Sequence, residues 1–347
     1  MILNVSIAVI VFIFSFFLTW LLRIYALKNN VIDIPNQRSS HSAPTPRGGG
    51  VALVISFLIG LFVLFIMNTI ALEQLLSLFI AGVIIAVVGF LDDHGHIAAR
   101  WRLLMHFIAA ATGLYFLGKF PVIDLFGFEF SAGLIGMLFG LVYLAWMLNL
   151  YNFMDGINGL ASIEAMTFSL SSCLLLLNTV SGESEHGLFS ILIILGFSSF
   201  GFMLWNFPKA KIFMGDAGSG FLGMVIGLIV LHLAMVNSSM FMAELCLLGV
   251  FIVDATVTLL RRLIAGKKAY QAHASHTYQI MARKFGSHKL VTCSVLVINL
   301  IWLTPIALLI AKGSLSGVIG VFIGWVPLCL VAFFGGAGVK DKESLSR

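Results

Sequence analysis

The stretch Met214-Gly215-Asp216-Ala217-Gly218-Ser219-Gly220, which leads into the apolar run 219–236, decides the class of this protein. A helix of that length crosses about 30 Å of hydrocarbon, and the run lacks the alternation of a membrane strand. Carboxylates are costly next to lipid, so Asp216 at the mouth of the run reads as a functional group. Similar runs recur at about eleven places, near 4–22, 51–70, 74–91, 103–118, 132–151, 160–178, 188–205, 219–236, 241–260, 290–311 and 315–334. Composition agrees: 60% hydrophobic residues, 10% charged residues and a mean hydropathy of +1.06 exclude a water-soluble globule. The expected fold is an all-α polytopic membrane protein of about eleven transmembrane helices, one membrane domain over residues 1–347. The first run has too long an apolar stretch for a signal peptide and no small-residue cleavage site before the polar loop, so it counts as a span.

Lys and Arg set the orientation. Eighteen of the twenty follow odd-numbered spans, and only Lys119 and Lys312 fall on the other side. The positive-inside rule then places the N-terminus outside and the C-terminus in the cytoplasm, with every acidic motif facing the cytoplasm. Cys173, Cys246, Cys293 and Cys329 lie within apolar runs at no metal-like spacing and read as small core residues.

Asp92 and Asp93 end the third run. Adjacent residues on a helix point about 100° apart, so one carboxylate can act while the other orients it. Two acids at a helix C-terminus also oppose the macrodipole, which favours a functional reading over a solvated helix end. In the junction Asn149 to Leu160, Asn152 and Asp155 form an i,i+3 pair that would present two oxygens on one helical face. Asp216 sits between glycines where helical N–H groups attract phosphate, and with Asn152 it would meet the demand of Mg²⁺ for one or two protein oxygens plus phosphate and water. As a turn, Gly-Asp-Ala-Gly-Ser alone is ordinary.

Loop one, Pro35 to Gly50, is rigid and basic, with Arg38, His41 and Arg47 ahead of three glycines whose N–H groups can approach an anion. The bland reading is a basic loop on anionic headgroups. Loop nine carries His273-Ala274-Ser275-His276-Thr277-Tyr278-Gln279 amid Lys267, Lys268, Arg283 and Lys284, and phosphate recognition by a basic, histidine-containing helix suits it better than a transition-metal site. Asp254 precedes Arg261 by seven residues, on roughly the same face two turns away, and reads equally as a structural partner or a catalytic group.

Together these motifs resemble the polyprenyl-phosphate N-acetylhexosamine-1-phosphate transferases, glycosyltransferase family 4. The likeness runs through Arg38-Ser39-Ser40-His41, Pro44 to Gly49, Asp92-Asp93, Asn152 with Asp155-Gly156, Phe213 to Asp216 with Gly218-Ser219, and His273 to Gln279. It implies transfer of a sugar 1-phosphate from a UDP-N-acetylhexosamine to undecaprenyl phosphate, with release of UMP, at the cytoplasmic face of a bacterial inner membrane. It implies Mg²⁺, with Mn²⁺ as substitute, on Asn152 and Asp216. Phe213 would stack on uracil, and Arg38, His41, Arg47 and His273 would bind substrate. Asp92, Asp93, Asp155 and His276 form the implied catalytic set, Asp92 orienting or deprotonating the lipid phosphate and His276 helping to hold diphosphate. No nucleic acid is implied, and a homodimer is one compatible assembly. Loop nine lacks the consecutive histidines of the peptidoglycan branch and Asn158 stands where many members have Asp, so the pattern looks like the O-antigen-initiating branch. The rival class, a transporter or lipid flippase, calls for ionisable groups near the bilayer midplane in repeated halves, whereas these acids cluster at one face.

Overall fold

The computed structural model describes residues 2–35, 41, 43–95, 97–125, 128–130, 133–180, 183–267 and 273–339. It is an all-α bundle, and a helix stands at each of the eleven expected runs. In chain order these are α1 (Ile2–Lys28), α2 (Gly50–Ile66), α3 (Leu72–His94), α4 (Ala99–Leu117), α5 (Gly133–Met154), α6 (Leu160–Thr179), α7 (Glu183–Asn206) and α8 (Asp216–Val236). The rest are α9 (Met240–Leu247), α10 (Gly249–Ile264), α11 (Thr277–Phe285), α12 (His288–Val297), α13 (Thr304–Ala311) and α14 (Gly317–Gly335). Among the described residues, eight stretches are long and apolar enough to span a membrane, or nine if the pair α9 and α10, bent by 72°, counts as one. Two expected spans fall short of that measure. Helix α2 has 17 residues, and α4 begins with Arg100 and Arg102, whose charge belongs at a polar boundary. Large apolar side chains such as Ile10, Phe17, Val142, Ile301 and Phe322 stand exposed around the bundle, as contact with lipid requires. The protein is a multi-pass membrane protein.

Helix α8 is the axis, buried from Ala217 to Ala234. Neighbouring helices reach its first turn by way of glycine. A Cβ at Gly89 of α3 would lie 2.5 Å from the Ala217 nitrogen, and one at Gly50 of α2 would lie 2.6 Å from the Gly218 Cα. Without hydrophobic drive between helices in lipid, such small-residue contacts let backbones pack closely. The consequence is positional: the C-terminal end of α3 and the start of α2 meet the mouth of α8. Among the described residues, two antiparallel strand pairs complete the fold. In the first, β1 (Ile32–Asp33) pairs with β2 (Thr45–Pro46), Asp33 opposite Thr45, which ties the ends of loop one together. The second pairs β3 (Ile123–Leu125) with β4 (Phe128–Phe130).

Glu164 and Glu244 place carboxylates inside the bundle, where charge economy expects none. Glu164 of α6 accepts from Asn299 Nδ2 at 2.7 Å, and Glu244 of α9 accepts from Ser172 Oγ at 2.6 Å. Asn299 belongs to a π-helical segment, Ile298–Leu303, between α12 and α13, whose looser turn is braced by Thr304 Oγ1 donating to the Asn299 carbonyl at 2.7 Å. Hydrogen bonding to other helices is what makes such groups tolerable there. All four cysteines are free, Cys173 and Cys246 buried and Cys293 and Cys329 partly so.

Candidate active site

The mouth of α8 gathers the predicted acids. Asp216 is its first residue, and Gly215 before it adopts φ +81°, a conformation that favours glycine. A side chain there would also meet Asp93 Oδ2 at 2.5 Å. Asp93 turns from the end of α3 toward α8 and accepts from the backbone N–H of Asp216 at 3.0 Å and of Ala217 at 3.4 Å. It therefore caps α8 with a carboxylate, which the helix dipole favours. Its side chain is 1% exposed and pairs with Arg47 Nη2 at 2.9 Å. The expected anion site at the α8 N-terminus is thus occupied by the protein's own Asp93, a correction to the reading of this turn.

Asp92 points elsewhere, as the 100° step requires. It accepts from Ile97 N at 2.9 Å and forms a short ion pair with Arg102 of α4. Asp216 lies between the two guanidiniums, 2.6 Å from Arg47 Nη2 and 3.6 Å from Arg102 Nη1. Arg102 is a site residue that sequence reading passed over. It counted there only toward orientation, because nothing in the sequence says that α4 returns to the end of α3.

Loop one is held by a short backbone ladder. Phe213 N donates to Pro46 O at 2.8 Å, Gly49 N to Phe213 O at 2.9 Å and Gly50 N to Met214 O at 2.9 Å. The N–H groups of Gly49 and Gly50 are consequently spent on the Phe213 and Met214 carbonyls and not offered to an anion, a second correction. The ladder carries Arg47 to the carboxylates and sets the His41 ring edge-on to Phe213, centroids 4.7 Å apart. Arg38 lies outside the described residues. Helix α5 ends at Met154, so Asn152 and Asp155 are joined by a turn, Asp155 N donating to Asn152 O at 3.3 Å, and not by the continuous helix expected. Asn152 Oδ1 accepts from Ser219 Oγ at 3.0 Å.

Two cavities meet here. The first, about 270 Å³, is lined by Asp33, His41, Arg47, Asn152, Asp155, Phe213, Asp216, Gln279 and His288 among others. The second, about 530 Å³, has Ile85, Val88, Leu103, Trp146 and Leu259 in its wall, together with Asp92, Arg102, His106, His273 and His276. Asn152, Asp216 and Gln279 line both. Asp93 lines neither and stands behind the site. His273 and His276 precede α11 and do not lie on it; their rings are 4.9 Å apart. Asp254 does not pair with Arg261, whose guanidinium turns to Phe333 O at 2.9 Å and stacks over the Phe333 ring at 4.4 Å.

Four carboxylates, Asp92, Asp93, Asp155 and Asp216, thus face two guanidiniums. Burial, reinforced by Asp216 and Asp93 and opposed by Arg47, holds the Asp155 carboxyl well above the usual carboxylate range. Burial works against the charge of Arg47, yet Asp216, Asp93, Asp33 and Asp155 keep its pKa above the ordinary value. An excess of anionic oxygen between two cavities is a donor set suited to a hard divalent cation. Among the described residues no group of three His, Cys, Asp or Glu could hold a metal alone, so any such ion would draw on Asn152, substrate and water.

A family model described as Glycosyl transferase family 4 matches residues 75–234, from α3 through α8. A probable undecaprenyl-phosphate N-acetylglucosaminyl 1-phosphate transferase of Bacillus subtilis (strain 168) is 30% identical over 284 residues, 80% of this chain and 75% of that one. The chain belongs to glycosyl transferase family 4. The family match takes in Asp92, Asp93, Asn152, Asp155, Phe213 and Asp216, while Arg47 and the histidines of loop nine lie outside it. An undecaprenyl-phosphate alpha-N-acetylglucosaminyl 1-phosphate transferase of Thermotoga maritima is 28% identical over 327 residues, 93% of this chain and 94% of that one. A phospho-N-acetylmuramoyl-pentapeptide-transferase of Streptococcus pyogenes serotype M6 is 31% identical over 207 residues, but that match covers only 54% of this chain and 59% of its own.

Proposed function

We propose that this family member transfers an N-acetylhexosamine 1-phosphate from a UDP-sugar to undecaprenyl phosphate at the cytoplasmic face of a bacterial inner membrane, initiating O-antigen or a related surface polysaccharide. The observation that carries the reading is the meeting of a polar cavity and an apolar-walled cavity at Asp216 and Asn152. A water-soluble nucleotide sugar and a lipid phosphate need that arrangement to react. Relatives named for N-acetylglucosaminyl transfer make UDP-N-acetylglucosamine the first donor to test.

In this reading the nucleotide enters the first cavity, where the Phe213 ring would stack on uracil and His41 would close the same wall. The lipid tail follows the apolar wall of the second, bringing its phosphate to Arg102 and Asp92. A lipid phosphate oxygen attacks the β-phosphorus, the bond from that phosphorus to the bridging oxygen breaks, and UMP leaves. A phosphate monoester has its second pKa near ~6 and is mostly ionised at neutral pH, so Asp92 orients the nucleophile more than it deprotonates it. Arg47 and Arg102 offset the repulsion between two anions, a positioning and electrostatic role. The rings of His273 and His276 line the lipid side. Asn152 and Asp216 would hold Mg²⁺, or Mn²⁺ in its place, which when bound polarises phosphoryl oxygens. Asp93 fixes Asp216 and Arg47 from behind.

The test is UMP release from detergent-purified protein given undecaprenyl phosphate and a panel of UDP-N-acetylhexosamines, with and without Mg²⁺. Lipid-dependent release with one donor is expected. Asp216→Asn should lower it by about 10²-fold or more, the scale for losing a group that stabilises transition-state charge. No release with any donor from folded protein refutes the reading.

A further inference from the structure

Asp254 is a buried acid beside the second cavity's histidines that the reaction scheme leaves unused. It sits in α10 and is 5% exposed. A carboxylate offers about four lone-pair positions, and three of these are accounted for. Thr277 N donates to Oδ1 at 2.8 Å, Tyr278 N to Oδ2 at 2.9 Å, and Thr258 Oγ1 to Oδ1 at 3.1 Å. His276 Nδ1 also faces the carboxylate, 3.4 Å from Oδ1, the oxygen that accepts from Thr277 and Thr258. That nitrogen is itself buried and has no hydrogen-bond partner. Around the ring, Phe153, His273 and Tyr278 pack with centroids 4.9 to 6.0 Å away, fixing its plane. The turn is pinned as well: Tyr278 Oη donates to Phe153 O at 2.9 Å, and Gln279 Oε1 accepts from His276 N at 3.3 Å.

We propose that Asp254 is a positioning residue for His276, holding Nδ1 as the N–H donor so that Nε2 is the nitrogen presented to the cavity shared with Asp92 and Asp216. A carboxylate behind an imidazole sets both tautomer and ring orientation, and substituting the amide disturbs the tautomer while largely keeping the shape. The catalytic consequence rests on the transferase reading; the tautomer does not.

Two measurements test the proposal. In ¹⁵N-histidine-labelled protein, with His276 assigned by its loss in His276→Gln, the neutral ring should be the Nδ1–H tautomer; an Nε2–H tautomer overturns the proposal. In UMP-release kinetics, Asp254→Asn should lower kcat/KM by about tenfold or more, the scale for losing an outer partner of an acting histidine. The same substitution made in His276→Gln should add less than about a twofold loss, because the two act as one unit. Equal losses in both backgrounds would make Asp254 a structural cap only. Should the wild type release no UMP, the transferase reading fails, and the tautomer still decides the geometry.

Discussion

One guanidinium nitrogen, Arg47 Nη2, holds carboxylates from two helices, Asp93 of α3 and Asp216 of α8. The opposite flank is held by Arg102, which pairs with Asp92 and approaches Asp216. Removing Arg102 as Ala should raise the KM for polyprenyl phosphate by about tenfold or more, with a smaller effect on the UDP-sugar, since charge-assisted bonds to phosphate contribute about 1.5–3 kcal/mol. Initial-rate measurements with each substrate varied in turn check this. Asp155 gives a pH prediction whose sign is fixed by its raised pKa. Its protonated form contributes stability that is fully present below the ordinary carboxylate value of about 3.9 and is lost as pH rises through the folded-state value. In chelator, Asp155→Asn and wild type should therefore melt at similar temperatures in acid, and the variant should become the more stable as pH rises. Melting curves of both across the pH range decide it.

Among the elements, α3 and α8 set the site through one point of closest approach, Gly89 against Ala217. Gly89→Ala should cost about 1–3 kcal/mol of overpacking and shift Asp92 and Asp93 relative to Asp216, lowering both thermal stability and turnover. Gly95→Ala is the control, because the nearest atom to its Cβ would be Leu91 O at 3.7 Å. Thermal melts with UMP-release rates distinguish the two. Equal behaviour would mean that the helix contact does not govern the site. Helix α11 is placed differently, docked by Asp254 and Tyr278 onto α10 and the end of α5. That docking carries both loop-nine histidines to the second cavity.

For the whole molecule, the first and last residues of α8 mark two ends of the bundle. Arg23, near the end of α1, donates to Lys211 O at 3.3 Å beyond the end of α7, on the face that holds the acids. Loops such as those around Asp124 and Ser238 meet at the other, with Asp124 N donating to Ser238 O at 3.5 Å. Three helices separate Lys119 from Lys209. In a cysteine-free background, Lys119→Cys and Lys209→Cys should label from opposite sides with an impermeant maleimide, Lys209→Cys from the cytoplasm. Lys28→Cys against Asn68→Cys asks the same of the 17-residue α2, and labelling of both from one side would remove that helix from the spans.

Sequence alone determined the all-α membrane class, because an uninterrupted apolar run in lipid must satisfy its backbone within one helix. It also singled out Asp92, Asp216 and Asn152, because polar groups at the ends of such runs stand out against composition, whereas Phe213 entered only through the family resemblance. What only the tertiary structure decided is which of these groups face a cavity and which are consumed in holding the fold. Asp93 reads as a member of the catalytic set and the Gly49 and Gly50 N–H groups as anion contacts, yet they are satisfied by α8 and by the Phe213 and Met214 carbonyls. Arg102 looks like orientation charge, His106 is unreadable as a ligand and Asp254 reads equally as structural partner or catalytic group, yet Arg102 and His106 line the second cavity and Asp254 lies behind His276, which lines it too. Hydrogen-bond partners separated by more than a hundred residues leave no local periodicity. They follow from how closely the helices approach, and here glycine contacts such as Gly89 against Ala217 set that distance.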